Sequence, residues 1–187
     1  IAYGQRNTSK IHVWGGAPGL LLEGVRRASA GFKELDTGGP TGFERSEIMA
    51  KLGTQDLQAK LGYAQESSNE TYLGLHVDDY ALTPYRRYAA SAKGYMNWRR
   101  TQAELAWNAR IGPSFSARTV AYHHYLTRAW TKLNRFADGP DLHTLLQQPE
   151  GGQSAVFLGI LRGEEDTVTD DQALMIGTNN RNFHAGG

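Results

Sequence analysis

Apolar residues in this chain recur mostly at spacings of three and four, and that spacing predicts helices. Leu20, Leu21, Leu22, Val25 and Ala28 give a mostly apolar side to a first helix over about Gly19–Phe32. A second helix fits Phe43–Leu52 and is stopped by Gly53 as a C-terminal cap. Thr54 can cap a third, carrying Leu57 and Leu61 and ending near Tyr63-Ala64. After the polar stretch 65–71 and a short element over Tyr72–Tyr80, Thr83-Pro84 reads as an N-cap with Pro at the first helical position. That placement predicts a long helix to about Arg110, ended by Gly112-Pro113. Ser114 or Ser116 then caps a helix whose stripe is Tyr122, Leu126, Ala129, Leu133 and Phe136. Short helices are expected over Asp141–Gln148 and from Thr169 through Met175, and Ala155–Leu161 between them is the most apolar run of the last quarter.

The ends lack this period. Residues 1–17 mix Gly, Asn, Ser and Thr around a β-like patch, Ile11–Trp14, and residues 177–187 have no pattern. The expected fold class is all-α: a compact helical core domain over 18–176, with an extended N-terminal arm (1–17) and C-terminal arm (177–187).

Charge changes the picture most. Leu82–Phe136 holds ten Lys/Arg against the single acid Glu104, a net charge of +9. Residues 1–81 carry eight basic and ten acidic side chains, and residues 137–187 two and eight. Eight Tyr and Trp residues are threaded through the basic centre, among them Trp98, Trp107 and Trp130. One charged helix face is ordinarily a solvated surface. Two in succession, flanked by the opposite sign, repel themselves unless something neutralises them. Cations mixed with flat rings suit a polyanion that also has bases to stack.

Other chemistry is thinner. With no Cys there is neither a disulfide framework nor a thiolate metal site. No apolar run approaches the ~20 residues of a membrane-spanning helix, and the N-terminus lacks the apolar stretch of a signal peptide. These absences lead to an expectation of a soluble, intracellular-type protein without membrane contact. The chain does not begin with Met, which is compatible with a piece of something longer. His123 and His124 on a helix would point ~100° apart and could not share an ion. His76, Asp78 and Asp79 are the one set that a metal-dependent enzyme could use. No GxSxG, HExxH or Walker A sequence occurs. The chain is expected to have no catalytic residues, no metal and no cofactor.

Three pieces, in order, resemble the coat proteins of flexible filamentous RNA viruses of the potexvirus, carlavirus and potyvirus type. The first is Tyr63–Thr71, similar to a short Ser-containing turn after an apolar helix. The second is Tyr85-Arg86-Arg87-Tyr88-Ala89 with the later Ala92-Lys93 and Asn97-Trp98. The third is Ala117–Leu126, close to a pattern of Arg, small residues, aromatic, Asp, aromatic. The resemblance implies an RNA pocket in which Ser67 or Ser68 hydrogen-bonds the nucleic acid and Arg86 and Arg87 meet phosphate. Arg118 is either a pocket residue or an internal brace. His123 stands where the family pattern has Asp, and replaces an acceptor by a possible donor.

What the resemblance implies for function is a coat subunit, not an enzyme, that polymerises helically along single-stranded RNA. Identical subunits would dock through the terminal arms, and the virion would assemble in host cytoplasm. Sequence-independent phosphate contacts would dominate. The alternatives are a monomeric helical nucleic-acid-binding module and the metal-dependent enzyme named above.

Overall fold

In the computed structural model, which describes residues 1–69 and 72–187, the chain is 54% strand and 15% helix. The expectation of an all-α fold is therefore corrected. Glu70-Thr71, the end of the first resemblance motif, lies outside the described residues.

The strands are β1 (Ala2–Gly4), β2 (Thr8–Ala17), β3 (Leu20–Ser29), β4 (Glu34–Leu35), β5 (Phe43–Gly53), β6 (Leu57–Ser68), β7 (Arg86–Arg87), β8 (Tyr95–Arg110), β9 (Ser116–Phe136) and β10 (Leu174–Gly186). Eight form one antiparallel sheet in the order β1-β2-β3-β5-β6-β8-β9-β10, and β4 pairs with β7 in a small parallel ladder. Every strand of the large sheet lies beside its neighbour in the chain, apart from the two short strands set aside. That is an up-and-down meander. Residues 1–17 supply β1 and β2, and residues 177–187 continue β10.

The helical misreading has a definite cause. A spacing of four satisfies a helix of period 3.6 and a strand of period two alike. Leu57 and Leu61 share a face of β6, and Tyr122 and Leu126 share a face of β9. The residues that would have separated the two periods, Ala59 and Tyr63 on the Leu57 face, lie between and beyond them. Thr83, expected to start a helix, instead terminates α1 (Val77–Leu82). Two local readings find their place, one of them in part. α2 covers Leu142–Gln147, with the Asp141 side chain accepting from the Thr144 amide. A one-turn 3-10 helix follows the Thr169 capping box over Asp170–Gln172, but the expected helix through Met175 stops short because β10 begins at Leu174. The apolar run Ala155–Leu161 lies in α3 (Gln153–Arg162).

The connections are strongly asymmetric. At one end β2–β3 turn through Pro18-Gly19, β5–β6 through residues 54–56, and β8–β9 through 111–115. Gly19 (φ +81°) and Gly53 (φ +134°) serve these turns, and a Cβ on Gly53 would lie 2.0 Å from the Leu57 carbonyl oxygen. At the other end β1–β2 turn through residues 5–7, but the remaining connections run over residues 30–42, over the described residues between Ser68 and Tyr95, and over 137–173, and hold the three described α-helices. The buried apolar core sits there as a cap: Tyr88, Phe136, Leu145, Phe157, Leu158 and Leu161 are each at most 2% exposed.

Candidate functional site

Register assigns every sheet residue to a face, because directly paired residues point the same way and neighbours in sequence point opposite ways. On β6 one face presents Leu57, Ala59, Leu61 and Tyr63, and the other Gln58, Lys60, Gly62, Ala64 and Glu66. The Leu57 face continues as Ile48, Ala50 and Leu52 on β5, Leu20 and Leu22 on β3, and Val13 on β2. On the other side it continues as Ala103, Leu105 and Trp107 on β8, then Ala121 on β9. From the Tyr63 level to the short turns, this face carries no Lys, Arg, Asp or Glu among the described residues.

Exposure is inverted relative to a protein folded around a core in water. Leu61 is 54% exposed, Ile48 63% and Val13 64%, whereas the side chains of Arg45, Glu47 and Glu66 on the opposite face are 30%, 26% and 17% exposed. In the middle of the sheet the charged face is the sheltered one, whereas toward the edges Lys10, Arg27 and Arg181 on that face are exposed. There Arg45 Nε lies 2.9 Å from Glu47, and its guanidinium sits 5.1 Å from the Trp98 ring. Rings mark the margins of the apolar face. Tyr63, Thr101, Tyr125 and His184 share a row toward the cap, with Tyr125 and His184 stacked at 4.5 Å. Trp107 stands near the turns. The first charges beyond the cap-side margin are Arg26 and Glu44, which pair at 3.0 Å, and Arg99.

The cap is held by an ion network across its three loops. Asp36 comes from the first, Asp79 and Arg86 from the second, Glu150, Arg162 and Glu164 from the third. Arg86 donates through Nε to Asp36 (2.9 Å), through Nη1 to Asp79 (3.2 Å) and through Nη2 to Glu164 (3.2 Å). Arg162 donates through Nε to Asp79 (2.9 Å) and through both terminal nitrogens to Glu150 (3.0 Å each), a bidentate pair. Tyr88 Oη donates to Asp79 and accepts from the His76 amide. Burial acts to raise the Asp79 carboxyl, but hydrogen bonds from Tyr88 and Arg162 and the two guanidinium charges hold its pKa below the ordinary value. Burial, then the Asp79 hydrogen bond, pushes the Tyr88 phenol well above its usual range.

The residues expected to form an RNA pocket do not converge. Ser67 and Ser68 end β6 on opposite faces, opposite Asn97 and Met96. Arg86 is occupied by three carboxylates. Arg87, 1% exposed, donates to Ser91 and to the carbonyls of Asn69 and Gly94. Arg118 sits near the short turns opposite Asn108, twelve residues along β8 from Met96, or roughly 40 Å at ~3.3 Å per residue. Arg118, Lys51, Lys60 and Glu104 line an open hollow of about 910 Å³. His123 lies on the apolar face, paired with Ala103 and Gly186, its ring 6.1 Å from His184. The groove between two basic helices is absent, because Leu82–Phe136 is mostly β8 and β9.

His76, Asp78 and Asp79 also have other work. The His76 ring meets the Gln148 carbonyl at 2.8 Å through Nε2 and the Asp78 amide at 3.3 Å through Nδ1. No group of three potential ligands that could hold a metal occurs among the described residues. Asp36, Glu150 and Arg162 were not singled out by sequence, since nothing local distinguishes them from other surface charges. Comparison with protein-family models, with curated proteins and with solved structures returns no match.

Proposed function

We propose that this chain forms part of the wall of a membrane-spanning β-barrel of the solute-passing or solute-receiving kind, with its long loops folded into a cap on one side. The observation that carries the reading is the inverted polarity: an uncharged apolar face outward and a charged face inward. Lipid offers the backbone no hydrogen bonds, so a sheet can span only with every strand paired, and its outer face must be apolar. Four features support the reading. The strands meander in sequence order, turns are short at one end, three of the four connections are long at the other, and rings flank the apolar band. Strands of 10 to 21 residues in β2, β3, β5, β6, β8, β9 and β10 exceed or match the ~9–11 that a tilted crossing needs. No helix of the described residues is long and apolar enough to cross a membrane, and crossing by strands requires none.

β10 leaves one long edge unpaired among the described residues, and β1 at the opposite edge is only three residues. Closure therefore requires further strands or further copies. The test is flotation with phospholipid vesicles after refolding, together with heat-modifiable migration on a detergent gel. Protein that stays in the aqueous fraction with strand content intact refutes the wall reading. The RNA-coating proposal competes with it and rests on the basic centre. Nuclease-protected RNA in purified particles, without vesicle insertion, would put it in the wall's place.

A further inference from the structure

The inward face carries an arrangement that a merely polar lining does not need. Following register across the sheet, Lys10 lies opposite Arg27, Arg27 opposite Arg45, Arg45 opposite Glu66, Glu66 opposite Trp98, Trp98 opposite Arg128, and Arg128 opposite Arg181. This single row spans seven strands and holds five cations against one carboxylate. Like charges directly opposite each other are destabilising in a sheet, yet the row contains three such contacts: Lys10–Arg27, Arg27–Arg45 and Arg128–Arg181. Arg100, one pair along β8 toward the turns, adds to the same side. Glu47 and Glu66 are spent on Arg45, at 2.9 and 3.8 Å.

The third contact is the best formed. Arg128 lies 5.6 Å from the Trp130 ring and 5.8 Å from Phe183, so its guanidinium is braced between apolar planes. Arg181 is fixed by its Nε donating to Asn179 at 3.0 Å. Arg128 Nε and Trp130 Nε1 are both buried and have no hydrogen-bond partner among the described residues. Two buried donors without acceptors, one of them on the Arg128 guanidinium that stands opposite Arg181, are a site short of an anion.

We infer that this inward row is an anion-selective belt, and that Arg128, Arg181 and Trp130 form its seat for a multiply charged oxyanion such as a polyphosphate or polycarboxylate. The inference rests on the wall reading, which makes this face the lumen. A ring of Arg and Lys is how a pore favours anions over cations. Guanidinium forks pair with carboxylate or phosphate oxygens two at a time. The Trp130 indole N–H supplies a further donor.

The experiment titrates vesicle-inserted protein with tripolyphosphate, citrate, a neutral trisaccharide and spermine, following tryptophan fluorescence, since Trp98 and Trp130 lie in or beside the row. Tripolyphosphate and citrate are expected to saturate, with affinity falling steeply as salt rises. A response to one alone upholds the belt and assigns the anion's class. Arg128→Gln combined with Arg181→Gln is expected to weaken binding roughly tenfold or more, since each guanidinium supplies charge-assisted hydrogen bonds. Lys51→Gln at the turn end leaves it unchanged. Far-UV circular dichroism and flotation confirm that the double variant still folds and inserts. Insertion without anion binding, equal response to spermine or sugar, or unaltered binding by the double variant overturns the belt while leaving the wall standing. Failure to insert at all strikes the wall instead.

Discussion

Leu61 offers the sharpest test of which solvent the apolar face meets. It lies mid-strand on β6, between Ala50 and Ala103, one pair turn-ward of the Tyr63 row, and is 54% exposed. If that face is in water, Leu61→Arg is an ordinary surface substitution worth within about 0.5 kcal/mol either way. If the face is in hydrocarbon, an arginine near mid-depth costs about 2–4 kcal/mol. At ~1.4 kcal/mol per tenfold, that is a roughly 30- to 700-fold loss in the folding equilibrium. The assay is a reversible urea titration of folding into phosphatidylcholine vesicles, followed by tryptophan fluorescence. Gln58→Arg, on the inward face of the same strand, is the control and should shift the midpoint little. Tyr63→Arg, at the cap-side margin, should cost only about 0–1 kcal/mol, because the penalty falls off toward the interface. A depth profile of this shape cannot come from a soluble sheet. Equal effects of Leu61→Arg and Gln58→Arg would refute the assignment of faces, and with it the wall.

Other outcomes test the cap and the turns. Leu158→Ala, at a fully buried cap position, should cost about 2–5 kcal/mol in cap stability, read as lost hydrogen-exchange protection over residues 137–173. Arg87→Ala leaves the carbonyls of Asn69, Ser91 and Gly94 without a buried donor; a loss of about 2–4 kcal/mol is expected, with exchange rising first over residues 72–94. For pH, the folded Asp79 pKa lies below its unfolded value, so its contribution is present above the ordinary carboxylate range and is lost as pH falls through the folded pKa. Asp79→Asn should therefore flatten the acid limb of cap stability, and an unchanged limb would assign acid sensitivity elsewhere. Gly53→Ala should destabilise the β5–β6 turn by more than about 1 kcal/mol, seen as a lowered urea midpoint, because its φ of +134° and the nearby Leu57 carbonyl exclude a side chain.

How much of this was legible beforehand depends on which physical signal carried it. Charge was legible: the excess over Leu82–Phe136 is real, and Arg100 and Arg128 from that stretch stand on the inward face. Capping chemistry was legible at Thr169, which acts within three residues of itself, but Gly53, Thr54 and Thr83, read as helix caps, sit at a strand end, in a hairpin turn and at the end of α1. Period was not. Outward positions alternate large and small residues, as in Leu57-Ala59-Leu61 and Thr101-Ala103-Leu105, which leaves the large ones four apart, as a helix would. Inward positions such as Met49 and Leu126 are apolar often enough to blur the alternation further. The ion network of Asp36, Asp79, Arg86, Glu150, Arg162 and Glu164 joins residues up to 128 positions apart, from Asp36 to Glu164, and no local signal encodes that.

The strongest argument for the wall comes from asking what holds the sheet together. In water a sheet gains stability by burying at least one face, and this one shelters the middle of its charged face while leaving Ile48, Leu61 and Trp107 half exposed or more. The clustered apolar core lies with the cap and the ends of the strands beneath it, and the sheet adds only the small buried side chains of Ala64 and Ala106. Backbone hydrogen bonds alone contribute little net in water, since the unfolded chain makes equivalent bonds to solvent. In hydrocarbon the balance reverses: each strand-to-strand bond replaces an unsatisfied group, and the outward Leu and Ile side chains gain their transfer free energy. On the wall reading the same sequence is thus built for two solvents. The cap has a core and ion pairs of its own, as a body in water requires, and the sheet below has the inverted polarity that lipid stabilises.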